Sequence, residues 1–153
     1  LDSLIEEQAP EFTLMDLSGK SVSLSELKGN VIVLDYWATW CGPCIASFPG
    51  MRKALDKYKN DPEIRFLFID TMEYETDEGT IKKNAAEMMT KNNYPFQVIL
   101  DNEGETAKAY GISSIPTKVI IDKEGKIRYR SVGFGGDIDR LVEELNIVID
   151  SIK

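Results

Sequence analysis

The run V-I-V-L-D-Y-W at 31–37 is apolar at both alternations of a strand, with Asp35 the single exception. Strand side chains point alternately to opposite faces, so such a run suits a central strand covered from both sides. A second run of this kind, I-R-F-L-F-I-D, occupies 64–70. Between the two, Phe48, Met51, Leu55 and Tyr58 recur at helical spacing, and Pro49 predicts a kink in the early turns. A strand–helix–strand unit of this type puts parallel strands beneath helices.

The rest of the chain continues the alternation. E-F-T-L-M-D-L and S-V-S-L, separated by a turn at Ser18–Lys20, predict a short hairpin near the start, after a lead-in over 1–10. A helix is expected from about Thr80 to Lys91, a short helical piece around Glu105–Tyr110, and a hairpin from T-K-V-I-I-D and K-I-R-Y-R-S-V around K-E-G. Ile138, Leu141, Val142, Leu145, Val148, Ile149 and Ile152 share one face of a terminal helix. The expectation is an α/β fold: a central mixed sheet flanked by helices.

All 153 residues fit one compact domain, and 42% hydrophobic with 29% charged residues is ordinary for a globular chain. A net charge of −8 argues against binding a phosphate backbone, so nucleic acid is not an expected partner, and no apolar run is long enough to span a membrane. The chain opens on Leu1 and shows no signal peptide, so composition alone does not give its compartment.

Both cysteines lie in W-A-T-W-C-G-P-C at 37–44. Two are too few for a disulfide scaffold, and a clip over so short a loop would constrain the unfolded chain little. A structural zinc site asks for about four Cys or His ligands; the chain has two cysteines and no histidine, and Ile45 follows the pair, which excludes haem attachment through C-x-x-C-H. No metal and no cofactor is expected. With Cys41 just before a helix and Cys44 in its first turn, unsatisfied N–H groups and the helix dipole favour the Cys41 thiolate. Cys41 then attacks a substrate disulfide and Cys44 resolves the mixed disulfide, since only the thiolate is nucleophilic. Asp35, desolvated in its strand, is expected to exchange protons with Cys44 as general base and acid.

W-C-G-P-C after a buried strand, with Asp35 before it, Pro49 after it and I-P-T at 115–117, resembles the thioredoxin family. Thioredoxin is itself a standard example of the low-pKa C-x-x-C cysteine. The N-terminal extension (1–30) and the insertion between Asp70 and Phe96 (71–96) resemble the TlpA/ResA group of extracytoplasmic thioredoxin-like proteins. This resemblance implies a single thioredoxin-like domain over 1–153, protein-disulfide reduction, a periplasmic or membrane-tethered location, and disulfide or dithiol protein substrates with an upstream thiol reductant. It further implies a cis bond at Ile115–Pro116 opposite the cysteines, and a substrate groove rimmed by Trp40, Gly42, Pro43, Ile115, Pro116 and Phe134.

Two departures from the resemblance matter. Many members of the group carry Glu three residues after the second cysteine, where this chain has Ser47. The strand position from which thioredoxin proper points a Lys at the buried acid aligns with Phe66, so Asp35 is expected to lack a charged partner. The acids Glu73, Glu75, Asp77 and Glu78 read as a solvated helix start rather than a docking loop. Two other readings remain: a peroxidase of peroxiredoxin type, against which Ala38 and Leu34 stand where P-x-x-x-T-x-x-C needs Thr and Pro, and a non-catalytic interaction module on the same scaffold.

Overall fold

The computed structural model describes residues 4–153. Among the described residues eight strands form one mixed sheet: β1 (Glu7–Gln8), β2 (Thr13–Asp16), β3 (Ser21–Ser23), β4 (Val31–Trp37), β5 (Ile64–Asp70), β6 (Val98–Leu100), β7 (Thr117–Ile121) and β8 (Lys126–Val132). Their order is β1-β8-β7-β4-β5-β6-β2-β3. The helices are α1 (Gly42–Tyr58), α2 (Glu78–Asn92), α3 (Glu105–Ala109) and α4 (Ile138–Ile152). β4 pairs in parallel with β5 and antiparallel with β7, and all seven of its residues are buried, as its composition demands.

Alternation sorts the core into two layers. Val31, Val33 and Trp37 of β4, with Phe66 and Phe68 of β5 and Ile120 of β7, face α1, α2 and α4. Ile32, Leu34 and Tyr36, with Leu67, Ile69, Val119 and Ile121, face the N-terminal segment and α3. Asp35 shares the parity of Val33 and Trp37, which puts it on the side of the sheet that α1 covers. Under α1, Phe68 and Phe96 stack at 3.9 Å, Tyr94 stacks on Phe96 at 4.7 Å, and the Phe48 ring meets all three edge-on. Offset and edge-to-face aromatic pairs add about 0.5–1.5 kcal/mol each beyond area burial. This block seats the helix that carries the cysteines.

Helix α1 runs continuously through Pro49. α2 starts two residues earlier than expected because Asp77 caps it, its Oδ2 accepting from the Thr80 backbone N–H at 2.9 Å. The N-terminal hairpin forms as β2–β3, and two of its features were not readable from the sequence. It extends the sheet beyond β6, and the lead-in contributes β1 to the opposite edge, against β8. The N-terminal segment therefore adds pairing at both ends of the sheet, two residues of β1 against β8 and the hairpin against β6.

α1 passes close to α4 at Gly50: a Cβ there would lie 3.0 Å from Leu141 Cδ2 and 3.5 Å from two methyl carbons of Ile138. Gly50→Val overfills that contact, and we expect it to lower stability by about 1–3 kcal/mol, read as a denaturation midpoint; an unchanged midpoint would mean that α4 moves away freely.

Candidate active site

The strand β4 ends at Trp37, and Ala38-Thr39-Trp40 carry the chain from the end of the strand into α1. Cys41 is the N-cap residue of the helix, with extended backbone angles, and its Sγ accepts the Cys44 backbone N–H at 3.3 Å. Pro43 sits in the first turn, where its missing N–H costs nothing. Cys41 and Cys44 are joined in a disulfide, so this is the oxidised form of the site. Both sulfur-bearing residues are buried, while Trp40, Gly42 and Pro43 are exposed around them.

The Ile115–Pro116 bond is cis. Ile115 packs against the core cluster that contains Cys41 and Cys44, and the Pro116 carbonyl accepts the Gly133 N–H at 2.7 Å. That bond brings the start of G-F at 133–134 to the proline loop. Phe134 itself lines a cavity of about 300 Å³ between the end of β8 and α4, with Val132, Arg140 and Leu141 among its neighbours and neither cysteine in its wall.

The expectation that Asp35 lacks a charged partner is corrected. Lys118 of β7 stands opposite Asp35 in the antiparallel register, its Nζ 3.4 Å from Asp35 Oδ1, and both side chains are 1% exposed. The same ammonium donates to Ser47 Oγ at 3.1 Å, and Ser47 donates to the Cys44 carbonyl at 2.8 Å. Ser47, expected only as a missing Glu, thus links the buried cation to the helix turn that holds Cys44. The sequence carried a signal for Lys118: T-K-V-I-I-D is an apolar strand with one internal cation, as 31–37 is an apolar strand with one anion. What it lacked was the register. Phe66 of β5 pairs with Val33 of β4 and contributes packing.

Burial raises the Asp35 carboxyl above its ordinary value, and the charge and hydrogen bond of Lys118 pull it part of the way back. Asp35 Oδ2 has no partner among the described residues. A second buried acid, Asp70, pairs in register with Trp37; burial, and then the neighbouring Glu73 and Asp101, push it up to about 10, so it is neutral at physiological pH. The acidic stretch divides. Asp77 caps α2 and Glu75 accepts the Thr76 and Asp77 N–H groups, as a helix start should. Glu73 instead reaches back to Thr39, accepting its N–H at 2.9 Å and its hydroxyl at 2.8 Å.

A C-x-x-C disulfide at a helix N-cap, a cis Ile115–Pro116 bond packed against the same core cluster and a buried acid on the side of the sheet under that helix define a thioredoxin-fold redox site. Comparison with known proteins agrees. The model of the AhpC/TSA family matches residues 5–130. The thiol-disulfide oxidoreductase ResA of Bacillus thuringiensis subsp. konkukian is 36% identical over 123 residues, which is 80% of this chain and 66% of that protein. ResA of Bacillus anthracis is 33% identical over 129 residues, 84% of this chain and 70% of that protein. The chain therefore spans about two thirds of the length of these relatives. Among solved structures, a Chlorobium tepidum protein provisionally described as thiol:disulfide interchange protein DsbE superposes with a TM-score of 0.77 at 32% identity, over 93% of this chain and 95% of that one. The chain belongs to the AhpC/TSA family, among the thioredoxin-fold proteins named ResA thiol-disulfide oxidoreductases. The resemblance carried by W-C-G-P-C and I-P-T is borne out at the level of family and fold.

The Asp35 carboxyl gives a pH test. Its folded pKa lies above the unfolded value, so the charged form opposes folding increasingly as pH rises from the unfolded value through the folded one. Asp35→Asn removes that dependence. We expect the stability of the Asn variant relative to wild type to rise between pH 4 and pH 8, measured by denaturation midpoints at each pH; a relative stability that falls over this range would reverse the sign of the shift.

Proposed function

We propose that the protein reduces protein disulfides by dithiol–disulfide exchange, with Cys41 as nucleophile and Cys44 as resolving thiol. The observation that carries this reading is the cap: Cys41 Sγ receives the Cys44 N–H at the positive end of a 17-residue helix. A thiolate at that place is favoured both by the hydrogen bond and by the dipole.

In the exchange, the Cys41 thiolate attacks one sulfur of a substrate disulfide. The substrate S–S bond breaks, a Cys41–substrate disulfide forms, and the substrate's other sulfur leaves as a thiolate that takes up a proton. Cys44 then loses its proton and attacks Cys41 Sγ. The Cys41–Cys44 disulfide forms and the second substrate thiolate departs, so two electrons have passed from the protein to the substrate. A thiol reductant returns the protein to the dithiol. Asp35 is the group we assign to take the Cys44 proton. Its free Oδ2 supports that role, and its raised pKa keeps the conjugate acid available for return of the proton. Lys118 tunes this base by favouring its charged form, and through Ser47 it holds the same cation against the Cys44 turn.

Trp40, Gly42, Pro43, Ile115, Pro116 and Phe134 are the groove we assign to the substrate chain around its cysteine, within one thioredoxin-like domain over 1–153. Ile115 offers backbone polar groups for pairing with an extended strand. An extracytoplasmic location, facing outward from a bacterial membrane, is part of the proposal and rests on the family resemblance; no helix among the described residues is long and apolar enough to cross a membrane.

Trapping tests the division of labour. Cys44→Ser is expected to accumulate a mixed disulfide through Cys41, whereas Cys41→Ser accumulates none, both read by non-reducing gels and peptide mapping. Asp35→Asn should slow release of the mixed disulfide by on the order of 10²-fold while the first attack changes little. Lys118→Met, which removes a cation that favours the carboxylate, should move the acid limb of the release step to higher pH. Faster alkylation of Cys44 than of Cys41 in the reduced protein would reverse the assignment.

A further inference from the structure

Immediately after β5, four consecutive residues lie along the loop that leads to Cys41. The Thr71 N–H bonds the Trp37 carbonyl at 2.9 Å, the Met72 carbonyl accepts the Trp40 indole N–H at 2.8 Å, Glu73 accepts both donors of Thr39, and Tyr74 stacks on Trp40 at 4.7 Å between ring centroids. To make these contacts the chain turns at Met72 with φ of 57°, a left-handed conformation that a side chain bearing Cβ adopts only at a cost of about 1–2 kcal/mol. A strained residue kept beside a reactive cysteine directs attention to what the strain holds in place.

It holds an open aromatic surface. Trp40 is 45% exposed and Tyr74 is 78% exposed, although both are large and Trp40 directly precedes the nucleophile. Thr39 and Trp40 are fixed from the side by Met72 and Glu73, so the platform does not depend on Tyr74 alone for its position. Glu75, the next residue, is exposed, and the whole chain carries a net charge of −8. Ring faces rich in π density next to carboxylates attract a cation, and Arg or Lys is favoured over an acidic side chain there.

Building on the exchange activity proposed above, we infer that Tyr74 is a specificity-determining residue and Glu73 its positioning residue: with Trp40 they form a wall that selects protein disulfides flanked by basic side chains. The substrate's Arg or Lys lies over the exposed aromatic faces while its disulfide meets Cys41. Glu73 does not touch the substrate. It fixes the loop through two hydrogen bonds, which takes both oxygens of one carboxylate.

The test uses two disulfide-bonded peptides of the same sequence, one with Arg and one with Glu beside the cysteine, and 2-hydroxyethyl disulfide as a small neutral substrate. Wild type should favour the Arg peptide in kcat/KM by about twofold to fivefold, the range that one exposed cation–π contact supports. Tyr74→Ala should bring that ratio toward one, mainly through KM. Glu73→Gln, whose amide offers a single acceptor oxygen to the two Thr39 donors, should move the ratio in the same direction. The ratio is a safe readout, because loss of folded protein or of reactive thiol lowers both rates alike. A wild-type ratio near one, or a ratio unchanged in Tyr74→Ala, overturns the inference. Failure of wild type to reduce even 2-hydroxyethyl disulfide overturns the exchange activity and the inference with it.

Discussion

A carboxylate cannot be taken out of water without several kcal/mol of penalty unless a cation and donors meet it. Asp35 is the place where this chain faces that constraint. Its strand has no wet face, so the answer comes from the neighbouring strand: Lys118 is directly opposite in the antiparallel register and shares its ammonium with Ser47 of α1. Strand β4, strand β7 and helix α1 are thus tied at one point, next to the helix turn that holds Cys44. A buried pair of this sort adds little net stability compared with apolar residues of equal volume, but breaking it from one side is costly. The pair leaves one carboxylate oxygen, Asp35 Oδ2, without a partner among the described residues, and the proposed mechanism uses that oxygen.

The cysteines are held in place by packing around the helix that carries them. The loop after β4 delivers Cys41 to the N-cap of α1, and the aromatic block of Phe48, Phe68, Tyr94 and Phe96 keeps the helix pressed on the sheet. Two of those four rings come from the end of the 71–96 insertion, so that segment contributes to the seat of the active helix. Its beginning braces the other side of the site through Met72, Glu73 and Tyr74. One insertion therefore supports the redox loop from both ends, packing at one and hydrogen bonding at the other.

The N-terminal extension does different work. β1 pairs with two residues of β8 and the β2–β3 hairpin extends the sheet beyond β6, so the segment adds strands at both ends of the sheet. Tyr110 anchors the intervening segment by donating its hydroxyl to the Pro10 carbonyl at 2.7 Å. These contacts stabilise the frame and leave the dithiol face open.

Local pattern was enough to determine the apolar strands, the helix that C-x-x-C opens, the terminal amphipathic helix and the identity of the reacting cysteines, because each depends on residues a few positions apart. The same holds for Asp35 as the buried acid: one charge in an apolar run is visible without a fold. Lys118 as its partner was not legible, although its strand shows a single cation among apolar residues, because which residue stands opposite Asp35 depends on strand order and register between segments 83 residues apart. Glu73 read as one more acid at a helix start, and only the tertiary structure separates it from Glu75 and Asp77 by turning the chain at Met72 toward Thr39. Periodicity records which face of an element is dry; which charges meet across that dry face is decided when the sheet closes, and the electrostatics of this site are written there.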